Sequence, residues 1–329
     1  MPYEMVTKVI PPIRTSFKEV EERLGRPPSR YEEAVLYFQQ KENFHYRSAF
    51  APDREIFDPA YTKLRMADYY AYYNFVDPKQ YYYFTYCQAR TKAYEALENH
   101  IEYAQERGLF DFAPEVKEVI ASYFPQMRHY EWGASLIMSN ATRFAYGTAI
   151  ESRCCYEAFD RFGNAQTIGK LLLLWKEQAP DLLTESKRKW MEEAGVQPLR
   201  KMVEELLVAS VEDWAEAAFG LALLDAVAYP LLFRDADGYY LARGATGISL
   251  VNKHFFDWYR EKIEWAGTLF KSFAEDGEQG EANREIMAGW ADKWQPSASE
   301  AFEGLSTVIK RGGATPQCQR QGFLKAVGL

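Results

Sequence analysis

The stretch MRHYEWGASLIMSNATRFAYGTAIESRCCYEAFDRFG, residues 127–163, runs for more than thirty residues without a proline. It predicts one core-spanning helix that resumes after an interruption at Pro125 and ends at a C-cap on Gly163. No segment elsewhere shows sustained alternate-residue hydrophobicity, so a sheet has nothing to be built from. The fold class is therefore all-α, with several long helices joined into one layered bundle.

The remaining helix signals are local. Ser16 followed by Glu19, and Ser29 followed by Glu32, are two capping-box starts. The first helix stops at Gly25, before Pro27 and Pro28, and the second runs to about Gln40. From Asn43 to about Pro59 the helical period is lost and the chain is expected to extend over a surface. Asp77-Pro78-Lys79-Gln80 is expected to open a long helix that ends near Gly108. Pro114 starts another, and NAQTIGKLLLLW begins the helix after Gly163. A helix is expected from about Ser249 to Phe273, and a last one from Glu281 with a kink at Pro296. The Gly-rich, basic end reads as a tail. Three parts follow: N-terminal helices and an extended arm over 1–60, a helical domain over 61–310, and the tail over 311–329.

Composition narrows the function classes. A net charge of −8 argues against a general binder of nucleic acid or anionic membrane, which needs a basic face. The apolar stretch Phe219 to Phe233 is broken by Asp225 and is too short to cross a bilayer, and no export signal is visible. Cys87, Cys154, Cys155 and Cys318 form no Cys-x-x-Cys pair, which fits reduced thiols and a cytoplasmic protein. Aromatic residues reach 16%, with 23 tyrosines. Most of these rings are expected in the core, and some at interfaces.

Metal chemistry is tested by counting. A carboxylate-bridged di-iron site in a helical bundle takes a Glu from each of two helices and Glu-x-x-His from each of two more. Only four histidines exist here. Glu42 stands three before His45, whereas Leu97, Gln126 and Val251 stand three before His100, His129 and His254. One proper motif beside an extended segment does not make a site, and all four histidines are expected at surfaces or interfaces. There is no Gly-x-Gly-x-x-Gly, phosphate loop or nucleophile elbow. Asp225, inside an apolar helix, is expected to pair with a cation or hydroxyl on a neighbouring helix. Glu131, Glu151 and Glu157 lack histidine partners and are expected at the surface or in ion pairs. The residues alone thus assign no catalytic, metal-binding or cofactor-binding site to this chain.

A family resemblance accounts for that pattern. NFHYR at 43–47, RMADYY at 65–70, DPKQYYYFTYCQAR at 77–90, RHYEWGA at 128–134, EDWAE at 212–216 and ANREIMAGWADKWQP at 282–296 occur in order. Together they resemble the β subunit of the hydroxylase component of bacterial multicomponent monooxygenases, nearest the phenol hydroxylase branch. The resemblance covers roughly residues 10–300 and leaves the tail after about Gly312 unmatched.

The resemblance implies a ferritin-like long-helix bundle with an extended N-terminal arm that lacks the di-iron ligands. It implies a non-catalytic structural subunit of an NADH-dependent phenol- or toluene-type aromatic monooxygenase, built as (αβγ)2. The α subunit would carry the di-iron centre and use O2 to hydroxylate phenol or a related ring. The further partners would be a γ subunit, a regulatory protein and a reductase with FAD and a 2Fe-2S cluster. Phe44, His45, Tyr46 and Arg47 would then drape over a partner. Tyr81, Tyr82 and Tyr83, fanned around a helix, cannot all face one core, so at least one would meet another chain. Three other readings stay open: the β subunit of an alkene- or alkane-oxidising relative, a self-sufficient di-iron enzyme, and a helical scaffold unrelated to oxygenases.

Overall fold

The computed structural model describes residues 18–29, 31–32, 58–175, 181–209, 211–303 and 317–329. The chain divides into two compact units, Met1–Ile56 and Phe57–Leu329. Glu42 and the arm residues Phe44, His45, Tyr46 and Arg47 lie outside the described residues. In the first unit, helix α1 spans Lys18–Leu24 and stops at Gly25, whose φ of +65° suits a residue without Cβ. The capping box at Ser29 is formed: its N–H donates to Glu32 Oε2 at 2.9 Å, and the Glu32 N–H donates to Ser29 Oγ at 3.2 Å.

The second unit is helical among its described residues, with no strand. After a short turn at Pro59–Tyr61, α2 covers Tyr69–Tyr73 and α3 Tyr83–Glu106. Then come α4 (Pro114–Phe144), α5 (Thr148–Leu174), α6 (Leu182–Glu192) and α7 (Gln197–Glu204). Helix α8 spans Trp214–Tyr229, α9 Asp237–Leu241, α10 Thr246–Ala274, α11 Gly280–Glu300 and α12 Gln317–Ala326.

The proline-free stretch is two helices rather than one. A straight helix over 127–163 would run about 55 Å; instead the chain turns back at Ala145–Gly147, and α4 and α5 pack along their lengths. Gly147 makes the turn with φ +100°, and a Cβ there would sit 3.3 Å from the Tyr72 carbonyl oxygen. Gly163 is not a cap: it lies inside α5, against Tyr94. Pro125 does not interrupt α4. Its missing N–H frees the Ala121 carbonyl, and Lys189 Nζ on α6 donates to that oxygen at 3.2 Å.

The start of α3 also differs from expectation. Asp77-Pro78-Lys79-Gln80 forms a turn ahead of the helix, closed by the Gln80 N–H on the Asp77 carbonyl at 2.8 Å. Gln80 takes φ +50°, and Asp77 caps the Tyr81 N–H at 3.0 Å. Helix α3 begins only at Tyr83, so the three tyrosines do not fan around one helix.

Helix α8 is the axle of the unit. All of its residues are buried, and α4, α10, α11 and α12 pack around it. Through the π turn at Pro230–Asp235 it continues to Leu241. The whole run Trp214–Leu241 is long and apolar enough to cross a membrane, unlike the shorter stretch marked from sequence, yet its apolar window is entirely buried in this fold. Asp213 caps α8 by accepting the Ala215 and Glu216 N–H groups at 2.9 and 3.2 Å, and it also accepts the Lys63 N–H at 2.7 Å. Asn283 ties α11 to the segment before α2: Arg65 N–H donates to its Oδ1 at 2.9 Å and its Nδ2 donates to the Arg65 carbonyl at 2.6 Å. The sequence motifs around residues 65, 213 and 283 are thus joints between elements. Within the expected tail, residues 317–326 form α12, whose Phe323 packs on Phe219 and Phe270.

Candidate functional site

Helices α4, α5, α8 and α10 meet around a buried charge cluster. Each of the four sends in one or more ionised or hydroxyl side chains: Tyr130 and Glu131 from α4, Glu157 and Arg161 from α5, Asp225 and Tyr229 from α8, Lys262 from α10. Arg161, Glu131 and Asp225 are wholly buried, and Lys262 is 3% exposed. An unpaired charge at this depth would cost several kcal/mol, so the arrangement exists only because opposite charges arrive together.

Arg161 holds the centre. Its guanidinium forms a bidentate pair with Asp225, one arm at 3.0 Å, and also reaches Glu157 Oε1 at 3.0 Å and Glu131 Oε1 at 3.3 Å. It lies 4.9 Å from the centre of the Trp258 ring. Lys262 Nζ donates to Asp225 Oδ2 at 2.6 Å and stands 3.7 Å from Glu157 Oε1. Tyr130 donates its hydroxyl proton to Asp225, and Tyr229 donates to Glu131 Oε1 at 2.6 Å. Burial pushes Asp225 upward, but the Arg161 and Lys262 charges outweigh it and hold the carboxyl below its ordinary value. For Glu131 burial wins: the carboxyl is pushed up to about 7, with Arg161 only partly opposing.

A second network borders the first. Arg90 on α3 makes a two-point pair with Asp160 at 2.7 and 2.8 Å and reaches Glu261 at 2.6 Å. Tyr86 and the Trp258 indole also donate to Asp160, at 2.8 and 3.0 Å. Tyr81 belongs here: its hydroxyl donates to Glu261 Oε2 at 3.1 Å, so it turns inward. Tyr82 and Tyr83 instead stand 61% and 68% exposed.

The expected pairing of Asp225 is thus present, with Arg161, Lys262 and Tyr130 as partners. Glu131 and Glu157 are ion-paired, and Glu151 lies half-buried in the first turn of α5. Of the four histidines, His45 lies outside the described residues and the other three are neither fully exposed nor fully buried. His129 is half-buried and its Nε2 lies 2.9 Å from Ser186 Oγ, which donates to the Pro125 carbonyl at 3.0 Å. His100 and His254 line a cavity beside the second network. Arg161, Lys262, Tyr130, Tyr229 and Asn164 escaped sequence reasoning. Asp225, Glu131 and Glu157 were marked in advance; the i, i+4 spacing of Glu157 and Arg161 is the one further signal that could have found a partner.

Such a centre does not fit a carboxylate-bridged metal pair. Its carboxylates turn onto a guanidinium, an ammonium and phenol hydroxyls, and among the described residues no histidine bonds to any of them. Among the described residues no group of three or more His, Cys, Asp and Glu side chains is placed to hold a metal ion.

The fold and the ordered motifs have counterparts. The family model described as Methane/Phenol/Alkene Hydroxylase matches residues 48–277. The phenol 2-monooxygenase oxygenase component DmpL of Pseudomonas sp. (strain CF600) is 31% identical over 93% of this chain and 91% of its own length. The hydroxylase component small subunit of a propane 2-monooxygenase from Rhodococcus jostii (strain RHA1) is 28% identical over 38% of this chain and 34% of its own. A crystal structure of phenol hydroxylase from Pseudomonas sp. OX1 aligns with a TM-score of 0.74 at 30% identity, covering 97% of this chain and 98% of that one. A helical bundle with these joints, matched by the family model over most of its length, leaves one assignment: the chain belongs to the methane/phenol/alkene hydroxylase family.

Proposed function

We propose that this chain is the non-catalytic β subunit of an NADH-dependent phenol- or toluene-type monooxygenase hydroxylase, (αβγ)2. In this reading it braces an α subunit that carries the di-iron centre and hydroxylates phenol or a related ring with O2. The γ subunit, the regulatory protein and the reductase with FAD and a 2Fe-2S cluster complete the assembly. The observation that carries the reading is the content of the four-helix centre. Where a bundle of this kind gathers carboxylates and imidazoles around iron, this chain places Arg161 and Lys262 among Glu131, Glu157 and Asp225. The charge that balances the acids is its own.

A subunit that acts by contact must present apolar surface. Tyr82, Tyr83 and Phe84 are exposed at the start of α3, and the Trp132 and Phe162 rings, tilted by 43°, lie 5.1 Å apart on the outer side of the α4–α5 pair. Tyr82 and Tyr83 are proposed to touch a partner; Tyr81, bonded to Glu261, is proposed to support them from behind. The small-subunit description of the propane monooxygenase relative supports the same reading.

The deciding experiment is native mass spectrometry of the chain co-expressed with its cognate hydroxylase subunits, with iron counted per subunit. The expected result is one-to-one assembly with all iron on the larger chain. Two iron ions on this chain, purified alone, would overturn the proposal.

A further inference from the structure

A cavity of about 280 Å³ lies between α3 and α10, beside the second network. Its floor is made by Ala89, Ala93 and Leu97 on α3, and its walls by Tyr94, His254 and Trp258. The alanines stand one helical turn apart, so their small side chains open a trough along α3. The Tyr94 and His254 rings are 5.6 Å apart and tilted by 44°. This combination of an apolar floor, aromatic walls and polar groups largely paired with other protein groups is that of a small-molecule pocket. A cavity of about 150 Å³ already holds benzene, so the space here suits one ring with a substituent.

The polar groups narrow the guest further. Arg90, at the edge, is saturated by Asp160 and Glu261 and offers no free charge to an anion. At the mouth, Lys253 and Asp257 neutralise one another. His254 makes no hydrogen bond among the described residues, only ring contacts with Tyr94 and Phe255. Burial first, and the Arg90 charge second, push its imidazole down to about 4, so at neutral pH it is uncharged, with one donor and one acceptor nitrogen. A hydroxyl group can satisfy either.

We infer that this cavity binds a small, neutral, monocyclic aromatic alcohol, its ring between Tyr94 and Trp258 and its hydroxyl on His254. The inference goes beyond the proposed structural role, because it places a ligand site in a subunit to which that role gives none.

The test is 19F NMR titration of the full-length chain with 4-fluorophenol and 4-fluorotoluene, which differ only in the hydroxyl. Saturable binding of 4-fluorophenol to the wild-type chain is expected. His254→Phe keeps a ring in the wall but removes the hydrogen bond. It should weaken 4-fluorophenol about tenfold, as the loss of one buried hydrogen bond does, and leave 4-fluorotoluene unchanged. Ala93→Phe should abolish both by filling the trough. Ala89→Leu provides the same block should the Phe variant fail to fold. Absence of saturable binding to wild type overturns the inference, as does binding that survives the blocking variants. Equal weakening of both compounds by His254→Phe overturns the role of the hydroxyl. Iron content and assembly do not enter these readouts, so failure here is separable from failure of the proposed function.

Discussion

Asp225 shows how much one side chain can carry in this fold. It is the shared anion of Arg161, Lys262 and Tyr130, all buried with it. Asp225→Ala would strand two cations away from water, at a cost of about 3–5 kcal/mol measured by urea denaturation. Replacing the ionic members together by apolar residues of similar volume should cost far less, because no lone charge is left behind. Glu131 gives a pH signature. Its folded-state pKa, about 7, lies above the ordinary carboxyl value of 4.5, so the folded chain binds this proton more tightly than the unfolded chain. The stability it contributes is full below about pH 4.5 and is lost as pH rises through 7. Glu131→Gln should flatten that slope, seen as a urea midpoint that falls less between pH 5 and pH 8 in the variant than in wild type.

At the scale of elements, the turn at Ala145–Gly147 and the passage through Pro125 divide what sequence can and cannot say. Both flanks of Gly147 keep helical composition, so nothing local distinguishes a tolerated glycine from a reversal; the distinction lies in α4 and α5 burying more against each other than a single extended rod could. Pro125 misleads in the opposite way. Proline lowers helix stability by removing a backbone bond, but here Lys189, more than sixty residues later, answers the freed Ala121 carbonyl. Lys189→Met keeps the aliphatic stem and loses that bond, and should cost about 1–2 kcal/mol in thermal or urea unfolding. Gly147→Ala should cost about 1–3 kcal/mol by the same measurements, because alanine resists φ +100° and its Cβ crowds Tyr72. Caps at Gly25, Ser29 and Gly108 were legible because a cap is written within four residues.

For the whole molecule, class and family were legible and the interior was not. All-helical character follows from period alone, and ordered motifs identified the family. The charge cluster was visible only as its acids, Asp225, Glu131 and Glu157, since the partners of Asp225 come from three other helices separated from it by up to about a hundred residues. The C-terminal segment shows the same limit: Gly and basic residues suggested a tail, while Phe323 anchors α12 against α8 and α10. Deleting residues 317–329 would uncover Phe219 and Phe270, and should destabilise the unit by about 2–4 kcal/mol in urea titrations. Tyr83→Lys, by contrast, alters a 68% exposed side chain. Under the proposed role it should leave the melting temperature unchanged while reducing co-purification of the larger subunit.

The guanidinium of Arg161 and the ammonium of Lys262 are covalent parts of the polypeptide, delivered at a fixed ratio with the acids they neutralise. Under the proposed role, a centre so composed needs no metallochaperone, and its maturation can be complete at release from the ribosome, leaving a finished surface on which a metal-dependent partner can be assembled.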